Sequence, residues 1–122
     1  MAEPGQVEPV DRGTLTVADR VIDKLAAHAA TFVEGVVPAG STLDRLAGRQ
    51  LPRATSQVRG RQARVGVQIA VAWPHPLADT AGEVRTTVTQ ELTRLSGLTV
   101  VAVDVTVDRV ELPNSPTGRK AE

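Results

Sequence analysis

Val65, Val67, Ile69, Val71 and Trp73 occupy every second position of one short run, and the alternation returns at Val101, Val103, Val105 and Val107. A two-residue apolar period belongs to strands, whose successive side chains point to opposite faces. The residues between are small or polar: Gly66, Gln68, Ala70 and Ala72 in the first run, Ala102, Asp104, Thr106 and Asp108 in the second. A sheet built this way has one face to bury and one to leave in water. Its cover must therefore lie on the apolar side.

Two amphipathic segments can supply that cover. In the first, Ala18, Val21, Ile22, Leu25, Ala29, Phe32 and Val33 share one side of a helical wheel, with Asp19, Arg20, Asp23, Lys24 and Glu34 opposite. Thr16 is placed to cap its N-terminus, with Asp19 three residues on. Gly35 follows the last apolar position, where helices commonly turn left-handed. The second segment runs from Pro76 to Ser96, with Leu77, Ala81, Val84, Val88, Leu92 and Leu95 in one stripe and Gly97 as its stop. Proline suits a first helical position, where its missing N–H costs nothing. Thr80 and Glu83 offer a competing start one turn later. His28 and Glu91 fall on the borders of their apolar stripes, as solvated edge residues do.

Between the helices, Val36-Val37 reads as a short strand stopped by Pro38. Residues 42–47 read as one helical turn or as an irregular loop. Residues 53–73 read as a hairpin turning at Arg59-Gly60. The expected fold is a two-layer α+β domain of order α-β-β-β-α-β, with a small mixed β-sheet and both helices on one face. It spans residues 13–112. Residues 1–12 and 113–122, rich in proline, glycine and polar residues, are expected to be disordered tails.

Composition removes several function classes from a chain of 122 residues. Cysteine is absent, which excludes disulfides, thiolate metal sites and thiol nucleophiles. The N-terminus has no apolar run resembling a secretory signal, and no segment has the roughly 18 apolar residues of a membrane span. A cytoplasmic location is the expectation. His28 and His75, the only histidines, have no partner at ligand spacing. Phosphate-loop, dinucleotide and nucleophile-elbow motifs do not occur. Asp104 and Asp108 would stand about 13 Å apart along a strand, too far to act together on one bond in a retaining reaction. The expectation is therefore a protein without catalytic, metal or cofactor residues.

The charge is unevenly spread. Arg45, Arg49, Arg53, Arg59, Arg61 and Arg64 fall between residues 45 and 78, where there is no acid, so this segment carries +6 in a chain of net charge zero. It reads either as solvated surface or as an interaction surface for an acidic protein, an anionic lipid or a nucleic acid. Against nucleic acid stands the aromatic content. Phe32 and Trp73 are the only rings available for base stacking, and no Gly-x-x-Gly loop of the K-homology type is present.

The order of elements and several short motifs together resemble the alkaline-shock and glucose-starvation stress proteins of Gram-positive bacteria. The resemblance rests on Glu34-Gly35-Val36 after the first helix, on a valine-rich strand ending in an aromatic and a turn, on Ser96-Gly97-Leu98 after the long helix, and on the final strand ending near Asp108-Arg109-Val110. It covers residues 13–112. It departs at the strand–helix turn, where the family commonly has Tyr-Gly and this chain has Trp73-Pro74-His75-Pro76. The resemblance implies a non-enzymatic envelope stress response protein. Such a protein is an interaction module, able to self-associate, recruited to the inner face of the membrane by an integral-membrane partner. It implies no cofactor. The alternative is an RNA- or anionic-surface-binding domain using the Arg45–Arg64 segment.

The turn raises two narrower expectations. Trp73 continues the row of Val65, Val67, Ile69 and Val71, so its ring is expected to be mostly buried, the alternative being a half-exposed ring at a partner surface. His75, held between two prolines, is expected to shape the turn and to do no acid–base work.

Overall fold

The first helical segment forms α1, Asp19–Ala30, but it buries a slightly different stripe from the expected one. In the computed structural model, which describes residues 17–113, the inward residues are Ile22, Ala26, Ala29 and Ala30, with Val33 just beyond. Val21 and Phe32 stay exposed. The alanines explain the shift, since they let α1 approach the sheet closely and rotate the larger side chains to its flanks. The helix starts one residue after Ala18, which makes no side-chain cap, and Asp19 lies in its first turn. Thr16 lies outside the described residues, as do most of the two segments expected to be tails.

The chain then forms β1, Val36–Val37; a short helix α2, Thr42–Leu46; the hairpin strands β2, Arg53–Arg59, and β3, Gln62–Ala72; the long helix α3, Leu77–Ser96; and β4, Thr99–Glu111. The expected order is present, and the segment left open as helical turn or loop is helical. Ser41 and Asp44 close α2 reciprocally. The Ser41 hydroxyl accepts from the Asp44 N–H at 3.1 Å, and the Asp44 carboxylate accepts from the Ser41 N–H at 3.0 Å.

β3 is the spine of a mixed sheet. β2 pairs with it antiparallel from Arg53↔Gln68 to Arg59↔Gln62, through a turn in which Gly60 takes φ +59°. β1 continues the same edge of β3, with Val36↔Val71 and Val37↔Ala70. β4 pairs along the other edge, parallel, from Gln62↔Thr99 to Ala72↔Glu111. A parallel neighbour needs a long crossover, and α3 is that crossover.

One face of the sheet is sealed by α1 and α3. Ala63, Val65, Val67, Ile69 and Val71 of β3 meet Ile22, Ala26 and Ala29 of α1, Val84, Val88 and Leu92 of α3, and Val103 of β4 in one aliphatic core. Each fully buried Val, Leu or Ile side chain contributes about 1.5–3 kcal/mol relative to exposure. A polar contact is built into this face. The buried Ser56 hydroxyl of β2 donates to Asp23 Oδ1 of α1 at 2.6 Å, with the Asp19 carbonyl oxygen 3.0 Å away. That contact fixes the helix on the hairpin.

Two expectations fail at the edges of the core. The alternation of β4 is interrupted by register shifts opposite Ala63/Arg64 and opposite Ile69/Ala70. The first passes over Val101, which is exposed, and lets Val100 pack against the core in its place. Trp73 is the second failure. β3 ends at Ala72, and Trp73 is 57% exposed because its position in the row lies past the cover of the helix layer. Leu77 and Leu95, at the two ends of the α3 stripe, are exposed for the same reason.

Candidate interaction surfaces

The structure does not gather the six arginines into one patch. Arg45 lies on α2 and Arg49 just after it. Arg53 opens β2, and Arg59 closes it. Arg61 is in the hairpin turn and Arg64 follows in β3. At strand rise, Arg53 and Arg59 are about 20 Å apart. Arg53, Arg59 and Arg64 belong to the uncovered face of the sheet, because Arg53 pairs with Gln68, Arg59 with Gln62 and Arg64 with Gln57, all opposite to the valine row. Two groups result. Arg59, Arg61 and Arg64 crowd the hairpin end and are exposed. Arg45, Arg49 and Arg53 belong to the end where the chain makes its α2 excursion.

That excursion is more than a loop. It leaves at Ala39 and returns at Leu51, the two being joined by N–H···O bonds of 3.2 and 2.8 Å in both directions. It folds over one end of the uncovered face. Ala70, on that face, is fully buried, and Leu51 is buried too. Between α2 and the sheet is a cleft of about 340 Å³ lined by Ala39, Gly40, Asp44, Arg49, Leu51, Arg53, Asp108 and Arg109. Its floor carries a bridge across three strands. Arg53 Nε donates to Gln68 Oε1 at 3.0 Å, and Gln68 Nε2 donates to Asp108 Oδ2 at 3.1 Å. The sequence marks Gln68 only as one of the small or polar residues between the valines. An isolated glutamine in a strand gives no sign of what lies across from it.

Two ion pairs border the cleft, Arg49 with Asp44 at 3.4 Å and Arg109 with Glu111 at 3.1 Å. The Asp44 carboxyl lies below its ordinary pKa, first because the Ser41 backbone N–H donates to the charged form, with the Ser41 hydroxyl contact and Arg49 acting in the same direction. On the far side of the molecule Glu91, the border residue of α3, pairs with Arg94 at 2.7 Å and raises the Arg94 pKa.

The strand–helix turn is packed from below. The Trp73 N–H donates to the Glu111 carbonyl at 2.8 Å, and the His75 N–H to the Ala72 carbonyl at 3.0 Å. His75 lies directly on Gly35. A Cβ at Gly35 would stand 2.9 Å from His75 Cγ, and Gly35 has φ +100°. Glycine is required there twice over, by backbone conformation and by the ring above it. His75 is thus a packing residue of the turn. His28 meets Phe32 edge-on at 5.0 Å.

Around this end of the domain the large apolar side chains Trp73, Leu77, Val110 and Leu112 are exposed. Leu43 and Leu46 are exposed on α2, Leu46 to 80%. A second open groove, about 620 Å³, runs between the end of α1 and the first half of α3, lined by Phe32, Gly82 and the acids Glu34, Asp79 and Glu83 among others. Among the described residues no three His, Cys, Asp or Glu side chains are grouped to hold a metal ion, and no helix is long and apolar enough to cross a membrane.

A family model described as the Asp23 family, cell envelope-related function, matches residues 7–112. (The family name is unrelated to residue Asp23 of this chain.) No curated protein matches the chain. Among solved structures, the chain is similar to MamM-CTD H285A at 14% identity and TM-score 0.46, covering 74% of this chain and 95% of the other. It is similar to MamM CTD D249N in its zinc form at the same identity and TM-score, covering 74% and 84%.

Proposed function

The chain belongs to the Asp23 family, and on that premise we propose that it is a non-enzymatic interaction module of the envelope stress response. An integral-membrane partner holds it at the inner face of the membrane. The observation that carries this reading is the placement of apolar surface. The core is closed, yet Trp73, Leu77, Val110 and Leu112 are left exposed where β3 and β4 end. Other large apolar side chains are exposed elsewhere, but these four belong to one end of the domain, and a contiguous apolar patch is the ordinary mark of a protein contact. The arginines at the hairpin end, Arg59, Arg61 and Arg64, are a second contact, made to acidic groups of the partner or to anionic headgroups. Each such side chain near an anionic membrane contributes about 1 kcal/mol, enough to strengthen a tether and too little to replace one.

Fractionation of cells tests this. The wild type should sediment with the envelope. Reversal of Arg59, Arg61 and Arg64 to Glu should reduce the sedimenting fraction without changing the melting curve, and high salt should mimic the reversal. A wild type that stays fully soluble, at rest and under envelope stress, overturns the tether. One observation favours the second reading, an RNA- or anionic-surface-binding domain: Arg59, Arg61 and Arg64 form no ion pair with any described residue. Nucleic-acid binding that falls steeply with salt would select it.

A further inference from the structure

We propose that the cleft beneath α2 is a carboxylate-binding pocket with Arg53 as its anchor, and that it takes an acidic side chain from a protein partner. The proposal rests on the reading of this chain as a protein-interaction module and gives that partner a chemistry.

Gln68 sets how Arg53 is held. Arginine can only donate and a carboxylate can only accept, so the amide between Arg53 and Asp108 has one possible orientation, oxygen to Arg53 and nitrogen to Asp108. Gln68 therefore grips Arg53 by Nε alone. The two η-nitrogens, with four N–H groups in a planar fork, are left without a protein acceptor among the described residues. The other charges of the lining are engaged: Arg49 with Asp44, Arg109 with Glu111, Asp108 with Gln68. Arg53 is half-buried and is the lining arginine with no carboxylate partner. A guanidinium partly withdrawn from water and held by one edge is prearranged for two parallel bonds to a carboxylate.

The surroundings narrow the ligand. Three arginines and two aspartates line the cleft, and Glu111 pairs with one of the arginines, so the charges balance and the site opposes a polyanion, while the fork of Arg53 remains open to a single carboxylate. About 340 Å³ lies at the low end of the range for ligand sites, room for one side chain. Leu51, Ala39 and Gly40 supply an apolar wall for the carbon atoms beside the charge.

The test uses the purified full chain and three probes: a capped Gly-Leu-Glu-Gly peptide, its Gly-Leu-Gln-Gly counterpart, and inorganic phosphate. Binding is followed by NMR through the backbone amide resonances of Gly40 and Leu51 in every variant, and in the wild type also through the side-chain Nε–H of Arg53. A saturable shift with the Glu peptide and none with the Gln peptide is expected. Arg53→Lys, which keeps the charge and loses the fork, should weaken binding about tenfold by removing a charge-assisted bond. Gln68→Ala, which frees the fork without touching its charge, should weaken it less. Lys24→Gln, on the exposed side of α1, should change nothing. Equal binding of the two peptides, unchanged binding by Arg53→Lys in a chain with a normal melting curve, or tighter binding of phosphate than of the Glu peptide each overturns the proposal. Peptide binding is measured without the envelope, so its failure leaves the tether standing. A chain that binds peptide yet never sediments with the envelope keeps the pocket and loses the tether.

Discussion

Ile69 and Gln68 are neighbours on β3 and face opposite ways. Ile69 is sealed in the aliphatic core beneath the helices, where its neighbours are interchangeable methyl groups. Gln68 lies on the other face and makes two specific bonds, one to β2 and one to β4. On the first face many weak contacts add up, and the identity of each partner matters little. On the second, few contacts exist, and each depends on one partner. Stability should therefore come mainly from the first face, and recognition from the second.

Substitutions on the two faces can break that division. Ile69→Ala should have the largest effect, about 2–5 kcal/mol, because it empties a fully buried site. Against the roughly 5–15 kcal/mol of a small domain this is severe. Chemical denaturation measures it, and a loss below about 1 kcal/mol would mean the core collapses around the gap. Ser56→Ala comes next, at about 1.5–3 kcal/mol, since it removes a hydroxyl bonded to the Asp23 carboxylate on the sealed face. This case sharpens the comparison, because it asks whether a specific polar contact counts more when it is buried. Gln68→Ala, which loses two bonds on the open face, should cost only about 0.5–1.5 kcal/mol in a melting experiment. A cost as large as that of Ile69→Ala would erase the distinction between the faces. Trp73→Ala should be the mildest, within about 0.5 kcal/mol, as for other surface substitutions. Its place in the row of Val65 to Val71 would instead suggest a large core truncation of about 3–5 kcal/mol.

The sealed face was legible in the sequence because burial writes itself as periodicity. Val65, Val67, Ile69 and Val71 alternate, Val84, Val88 and Leu92 recur at helical spacing, and Gly35, Gly60 and Gly97 take the left-handed conformations their positions suggested. Where the pattern misled, it ran past the cover. Trp73, Leu77 and Leu95 satisfy the period but lie beyond the layer that would bury them. Val101 satisfies it too, and is displaced by a register shift that leaves no trace in composition. The open face was nearly silent. The arginine run was visible, yet its division into two groups follows from the strand length between Arg53 and Arg59. The role of Gln68 follows from pairings between residues 15 and 40 positions apart. Sequence distance hides such contacts because no local period produces them.

The two register shifts of β4 bear on how the protein behaves when concentrated. β4 is thirteen residues long and valine-rich, and among the described strands it pairs only with β3, so no described strand covers its outer edge. A long, straight, apolar edge is a template on which another chain can add a strand, the first step toward amorphous aggregate or fibre. An extra residue at each shift bends and twists the strand and breaks the row of outward N–H and C=O groups into short pieces. The shifts at Val101 and Asp108 thus act as guards against uncontrolled polymerisation, and deleting these two residues to straighten β4 should show up as turbidity long before it shows up as lost helix.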